Sequence, residues 1–347
     1  MDKIRCSVVG CGRMGLRRAR TIVNHPEAEL RYVSDVNSEL AKKVAQDFGV
    51  EAVEVGEAIS KSDVDCVIVS VPNKFHPEIV IPALERGKHV WCEKPLARNP
   101  EEGWKMVEAA IKNDCFLKVG SNLRYFPSVQ KGKELLDAEA IGEILFLRGW
   151  VGNSGWQLKS WYSEVELIGG GTFLDNGVHL LDIYRWFLGE AVECIGYVST
   201  AYWPVHPLED NGMGIFKFEN GCLAFLHSSW TEWADYMYME IYGKEGYIKI
   251  DNRMPNCITI LGRKDGSQEI FDFSRLPPKS YELEFNDFIK AIKENQQPSP
   301  SGFDGLRAVE MAFGVYESAK SGRSVSIWRK EHEQLLETYK RIAGDKK

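Results

Sequence analysis

Asp175 and His179 stand four residues apart, at the head of a segment in which Leu180, Tyr184, Phe187 and Leu188 recur at helical spacing and Gly189 marks a stop. The spacing predicts a helix from Asp175 that carries both side chains on one face. A carboxylate beside an imidazole orients the ring and tunes its charge, and an imidazole that titrates near neutrality exchanges a substrate proton. The competing reading is structural, with Asp175 as a helix cap and His179 as a packed ring. Gly177 favours chemistry: inside the first turns it costs about 1 kcal/mol of helix propensity and leaves room for a close-approaching ligand or chain. Lys94 is the third candidate. It follows Lys88 to Cys92, a predicted strand, in Glu93-Lys94-Pro95. At the carboxyl end of a buried strand it faces the crevice where open α/β sheets take ligands, whereas most lysines are simply solvated.

These groups need a sheet behind them, and the N-terminus supplies its signature. Ile4 to Val9 is a short apolar run that ends in Gly10-Cys11-Gly12-Arg13-Met14-Gly15, a complete G-x-G-x-x-G followed by a helix-compatible segment. The first glycine permits the tight turn, the second lets a pyrophosphate approach the backbone, and the third lets helix pack on strand. The helix start then offers N–H groups to phosphate. A second run, Leu30 to Ser34, ends in Asp35, twenty residues past Gly15, where a dinucleotide fold places the acid for the adenosine ribose hydroxyls. Asp35 as a cap for the predicted helix Ser38 to Phe48 is the alternative. Strand, glycines and acid in register predict a nicotinamide dinucleotide site. A carboxylate at 35 repels a 2′-phosphate, and Val36 and Asn37 bring no arginine to neutralise one, so NAD is expected rather than NADP. Arg13 and Arg17 are within reach of an adenosine phosphate.

Val64 to Val71 is a nearly continuous apolar run, as in a parallel strand covered on both faces. It leads to Ser70, Val71, Pro72 and Asn73 at the ligand-binding edge, with His76 just beyond. Helices over 77–87 and 100–113 and a strand from Phe116 to Gly120, ending at Ser121-Asn122, complete a domain over 1–123. From Arg124 the pattern changes. After a helix from Pro127 to Asp137 come long alternating segments, Glu143 to Val151, Val192 to Ala201, Asn211 to Phe218, Cys222 to Thr231 and Met237 to Ile250, with hairpin turns at 219–221 and 243–246. They predict a second domain over 124–330 on a mostly antiparallel sheet. Helices are expected on one face and a second subunit on part of the other, as a homodimer or homotetramer. A helix from Gly305 to Ser321 and a solvated helix or tail over 331–347 close the chain.

The loop Gly152 to Tyr162 holds Trp156, Lys159, Trp161 and Tyr162, a mixture that suits a polyhydroxylated ring, although Trp161 and Tyr162 equally suit core packing. Trp203, His206 and Asp210 form a second loop with a claim on the same pocket. Arg124 is a candidate for a carboxylate or phosphate on the substrate, which would favour a sugar acid or nucleotide-linked sugar.

The chain of 347 residues suits two domains, with 44% hydrophobic residues. It contains no apolar run of membrane-spanning length, and residues 1–20 lack the pattern of a signal peptide, so a cytoplasmic protein is expected. The eight cysteines are scattered, without the close Cys/His spacing of a zinc site, and read as buried thiols; no metal is expected. A net charge of −7 argues against a nucleic-acid partner.

Four motifs occur in order: GCGRMG at 10–15, SVPNKFH at 70–76, GKHVWCEKPL at 87–96 and GGGTFLDNGVHLLD at 169–182. Lesser matches are IGEI at 141–144, SSW at 228–230 and SGFDGLRAVEMAFGVYESAKSGRSV at 301–325. Together they resemble the glucose-fructose oxidoreductase/inositol dehydrogenase/MocA family over nearly the whole chain. The resemblance implies an α/β fold, with an N-terminal Rossmann doubly wound parallel sheet and a C-terminal α+β domain whose large open sheet serves oligomerisation. It also implies an NAD(P)-dependent alcohol or carbonyl redox reaction, most often on a sugar or cyclitol. Carried over by motif, Lys94, Asp175 and His179 are the catalytic group, and Asn73, His76, Glu93 and Asn122 lie near the nicotinamide and its ribose; Asn176, beside Asp175, is a further candidate on the substrate side. In oxidation His179 takes the hydroxyl proton, Lys94 stabilises the alkoxide and Asp175 orients the pair. The rivals are a biosynthetic reductase of a sugar or imine carbonyl and a non-catalytic dinucleotide-binding sensor.

Overall fold

Both sheet patterns are present in the computed structural model, which describes residues 3–156, 158, 160–234, 236–253, 255–277, 279–327, 335, 337 and 338. Lys159 and most of the predicted tail over 331–347 lie outside the described residues. The chain forms two compact units and passes between them after Ser121, Ser280 and Leu306.

In the first unit, β1 (Ile4–Val9), β2 (Ala28–Ser34), β3 (Glu51–Ala52), β4 (Cys66–Val69), β5 (His89–Cys92) and β6 (Leu117–Val119) form a parallel sheet of order β3-β2-β1-β4-β5-β6. The order reverses between β1 and β4, and such a switch point opens a crevice at the carboxyl ends of the strands. Helix α1 (Arg13–Val23) follows the glycine loop directly. The unit is not contiguous in sequence, in contrast to the division expected at 123/124: residues 281–306 return to it. The helix Ser280–Glu294, which the periodicity reading passed over, brings Phe285 and Phe288 onto the buried Trp91, with ring centroids 5.6 and 5.9 Å away. It also brings Glu284 to Arg18. Arg18 is buried; its Nε donates to Glu93 Oε1 at 2.5 Å, its Nη1 donates to Glu284 Oε2 at 2.8 Å, and its guanidinium lies 4.0 Å over the Trp91 ring. Burial pushes the Glu284 carboxyl above its usual range against the pull of Arg18. Removing one partner from such a cluster leaves an uncompensated buried charge, a loss of about 3–5 kcal/mol.

Among the described residues the second unit has nine strands: β7 (Ile144–Gly152), β8 (Ala191–Ser199), β9 (Asn211–Phe218), β10 (Leu223–Ser229), β11 (Tyr236–Gly243), β12 (Gly246–Asp251), β13 (Ile258–Arg263), β14 (Gln268–Asp272) and β15 (Val325–Ser326). Their order is β14-β13-β12-β11-β7-β10-β9-β8-β15, antiparallel except for β7 beside β10. β7, β8 and β10 therefore run the same way, and the loops that leave them emerge at one edge. Along β9 burial alternates strictly after the first residue: Phe216 and Phe218 face the core, while Met213 and Ile215 face outward. Ile195 pairs with Ile215 and Tyr197 with Met213 across β8 and β9, and with Leu223 they leave an exposed apolar outer face. The expected α-helix from Asp175 is corrected at its start. Phe173–Gly177 form a π-helical turn, and the α-helix spans Val178–Leu188. An added Cβ on Gly177 would stand 3.4 Å from the Phe173 ring and 3.6 Å from Ser228 Cβ, ordinary van der Waals distances, so no close approach of the chain requires this glycine. No helix among the described residues is long and apolar enough to cross a membrane.

Candidate active site

In the first unit, three glycines shape the loop between β1 and α1. Gly10 has φ +98°, and a Cβ there would lie 2.3 Å from the Ser70 carbonyl oxygen. A Cβ on Gly15 would lie 1.7 Å from the Gly10 carbonyl oxygen, so helix and turn touch through bare backbone. Gly12 is the opposite case: it is exposed, and a Cβ there meets nothing within 4 Å. Gly12 thus edges an open cradle at the N-terminus of α1, where backbone N–H groups attract phosphate. Asp35, at the end of β2, accepts hydrogen bonds from the backbone N–H of Cys11 at 2.7 Å and of Asn37 at 2.8 Å. Its carboxylate is thereby fixed against the loop. The Cys11 thiol is buried and pushed up to about 12 by burial and by the Asp35 charge, which makes it inert. The Ser70 hydroxyl oxygen, at the carboxyl end of β4, is buried without a hydrogen-bond partner among the described residues. An open cradle, a fixed acid at the end of β2 and an orphaned hydroxyl at one sheet edge fit a dinucleotide.

Ser70, Val71, Pro72 and Asn73 are half-buried at that edge, and Lys94 is half-buried just past β5. Arg13 is exposed and Met14 half-buried beside the loop. Two expected cofactor contacts need correction. His76 is fully buried, with Nδ1 3.1 Å from the Leu96 carbonyl and Nε2 3.0 Å from the Val71 carbonyl. Burial pushes its pKa down against the two carbonyls, and the ring ties two edge loops together instead of facing a ligand. The Glu93 side chain is turned inward to Arg18.

In the second unit, Asp175, Asn176 and His179 are half-buried on the turn and the helix after it. The Asp175 carboxylate accepts from the indole N–H of Trp230 at 3.2 Å. Asn176 Nδ2 donates to Thr172 Oγ1 and its Oδ1 accepts from Asn153 Nδ2, both at 3.4 Å. Ahead of the turn, Gly171 N–H donates to Glu209 Oε2 at 3.0 Å and Phe173 N–H to Glu209 Oε1 at 2.9 Å. Burial pushes the Glu209 carboxyl above its usual range, while those N–H groups and Tyr316 pull the other way. Ser228 holds Thr172 from β10, with its hydroxyl 2.9 Å from the Thr172 carbonyl. Sequence reasoning missed Trp230, Glu209 and Tyr316 as parts of this site; the run Gly169-Gly170-Gly171 was the one signal that something approaches closely.

Arg124 requires correction as a substrate contact. It is buried, and its guanidinium grips Asp182 through Nε at 2.7 Å and Nη2 at 2.6 Å, stacked 5.2 Å from the Trp186 ring. Asp210 is likewise not open to a ligand. It is buried and accepts from the N–H groups of Ala201, Tyr202 and Trp203, each at 2.7 Å. Burial works against its charge, but these donors hold its carboxyl below the usual range. Trp161 and Tyr162 stack at 4.2 Å and pack, half-buried, on the cluster of Ile168, Val205, Leu208 and Trp230. Trp156 is 76% exposed and His206 is exposed. Asn122 is half-buried and donates to the Ser280 hydroxyl at 3.1 Å.

Residues 4–121 match the GFO_IDH_MocA family model, described as "Oxidoreductase family, NAD-binding Rossmann fold", and residues 129–249 match the "GFO/IDH/MocA C-terminal domain". A scyllo-inositol 2-dehydrogenase (NAD(+)) of Bacillus subtilis is 26% identical, the match covering 94% of this chain and 96% of the relative. A 1,5-anhydro-D-fructose reductase of Ensifer adhaerens is 30% identical, with 81% and 85% covered. Among solved structures, levoglucosan dehydrogenase in complex with NADH and L-sorbose is 26% identical with a TM-score of 0.86, covering 95% of this chain and 100% of that one.

The contrast between the loop glycines is testable. Gly12→Ala is expected to leave the melting temperature unchanged and to weaken NADH binding in calorimetry by about tenfold or more, roughly 1.4 kcal/mol. Gly15→Ala should lower the melting temperature as well, because its methyl has nowhere to go. Equal melting losses in both variants would contradict this division of roles.

Proposed function

We propose that this chain, which belongs to the GFO/IDH/MocA oxidoreductase family, uses Lys94, Asp175 and His179 to oxidise a secondary alcohol of a neutral sugar or cyclitol. It is an NAD-dependent dehydrogenase acting on CH–OH groups. NAD, when bound, supplies the hydride acceptor; the glycine loop, Asp35 and the Ser70–Asn73 edge would hold it. The chain's own residues handle the oxygen and its proton. His179 accepts the hydroxyl proton, the Lys94 ammonium stabilises the negative charge that grows on that oxygen, and Asp175 orients the imidazole and balances its charge. Trp156, Trp161, Tyr162 and Asn176 are the proposed substrate-side surface, with flat aromatic faces and an amide suited to a polyol ring. The observation that carries the reading is the Asp175 carboxylate, fixed by the Trp230 indole yet half-buried, one helical step before a half-buried His179.

Two arguments narrow the substrate. Relatives whose names state a substrate include inositol 2-dehydrogenases and a levoglucosan dehydrogenase. Arg124, the reason to expect a sugar acid or nucleotide-linked sugar, is committed to Asp182, so a neutral ring is proposed. Reduction of a sugar carbonyl is the second reading, favoured by the similarity to the 1,5-anhydro-D-fructose reductase; the same side chains serve both directions. A cytoplasmic homodimer or homotetramer is part of the proposal, with the outer sheet face around Tyr197, Met213 and Ile215 covered by a second copy.

Purified protein with NAD should form NADH from at least one of myo-inositol, scyllo-inositol, levoglucosan or an aldose. Lys94→Ala and His179→Ala should each cut kcat by roughly 10²- to 10⁴-fold while the NADH Kd holds. Near-normal turnover in both variants would sink the assignment. In sedimentation, Tyr197→Glu with Ile215→Glu should convert the oligomer to monomer; an unchanged sedimentation coefficient would remove this face as the interface.

A further inference from the structure

The turn bearing Asp175 and His179 is anchored at its entry by one buried carboxylate. Glu209, 5% exposed, sits in the loop after β8. Its Oε2 accepts from Gly171 N–H at 3.0 Å, and its Oε1 accepts from Phe173 N–H at 2.9 Å and from the Tyr316 hydroxyl at 2.8 Å. That hydroxyl in turn accepts from Leu174 N–H at 3.1 Å, and the Glu209 backbone carbonyl accepts from Thr172 N–H at 3.0 Å. Four successive N–H groups, from Gly171 to Leu174, therefore end on Glu209 directly or through Tyr316. The glycines are what permit it. A Cβ on Gly171 would stand 1.9 Å from the Glu209 carbonyl oxygen, and one on Gly170 would stand 2.5 Å from the Tyr316 hydroxyl. Asp175 is joined to the same knot, because its N–H donates to the Gly171 carbonyl at 2.9 Å.

We propose that Glu209 is the positioning residue of this turn, and that its carboxylate, with Tyr316, sets where Asp175 and His179 stand. The proposal rests on the reading of those two as catalytic. Every partner of the Glu209 side chain among the described residues is a donor, so an acceptor-only carboxylate satisfies all of them. A glutamine of the same size must turn an amide NH₂ toward Gly171 N–H, or toward Phe173 N–H and Tyr316. Either choice leaves a buried donor unmatched and displaces the turn. Displacement of a reacting group by about 1 Å costs roughly a hundredfold in rate.

The Trp230 indole N–H donates to the Asp175 carboxylate and so reports its place. In ¹⁵N-labelled protein the Trp230 indole resonance is assigned by Trp230→Phe, and Asp175→Asn shows where it moves when the carboxylate is lost. Glu209→Gln should move it in the same direction, with a smaller movement in Tyr316→Phe, a variant that keeps the Glu209 carboxylate. The Trp91 indole, and the Trp203 indole that donates to the Trp230 carbonyl at 2.8 Å, should stay in place. General loosening of the unit would shift Trp203 as well. With a polyol that supports NADH formation, Glu209→Gln should lower kcat by roughly tenfold to a hundredfold with KM little changed. A Trp230 resonance unmoved in Glu209→Gln and Tyr316→Phe, but moved in Asp175→Asn, overturns the proposal and leaves the catalytic reading intact. Wild-type turnover in Asp175→Asn would instead overturn the catalytic reading, whatever the resonances do.

Discussion

A buried carboxylate surrounded by backbone N–H donors is the constraint from which the second unit can be read outward. Glu209 cannot leave water at tolerable cost unless each of its oxygens is met by donors. The chain meets them with the entry to the π-helical turn and with Tyr316. That requirement accounts for two glycines where side chains would collide, at the entry to the π-helical turn that precedes His179. Its neighbour Asp210 does the same for Ala201, Tyr202 and Trp203, and the Asp210 carbonyl accepts from Trp230 N–H at 2.8 Å. The two consecutive acids thus fix the Asp175 turn on one side and the aromatic loop on the other.

The first unit solves its own positioning problem by close backbone approach and one ionic cluster. Gly10 lets β1 turn against the end of β4, and Gly15 lets α1 sit on that turn. Behind them Arg18 holds Glu93, adjacent to Lys94, and Glu284, whose Oε1 accepts from Ser121 N–H at 2.6 Å beyond β6. The carboxyl ends of β5 and β6 are therefore tied to α1. The candidate cofactor residues sit on the edge and the rigid ionic cluster beneath it.

What the sequence makes legible here is what is local. The G-x-G-x-x-G, the register to Asp35, the unbroken apolar strand before Ser70 and the alternation along β9 are each written in consecutive residues, and each is found in the fold. What it hides is long-range pairing. Arg124 looks like an anion receptor until Asp182, 58 residues away, takes its guanidinium. Asp210 looks like a ligand group because its partners are backbone N–H groups that no side-chain pattern reveals. His76 and Glu93 belong to a genuine edge motif, yet their side chains point inward to carbonyls and to Arg18. The helix Ser280–Glu294 was missed for a related reason: Phe285, Phe288 and Ile289 have helical spacing, but only Trp91 and Arg18, far back in the chain, show what that face is for.

The central claim, that a carbon-bound hydrogen of a neutral polyol passes as hydride to the nicotinamide, is tested most directly by isotope transfer. Protein and NAD are incubated with ring-deuterated myo-inositol, scyllo-inositol, levoglucosan and an aldose in turn, and the nucleotide is weighed by mass spectrometry. Reduced nucleotide should carry deuterium from at least one of these polyols. Reduced nucleotide without the label, or NAD that binds and returns oxidised from all four, would contradict that claim.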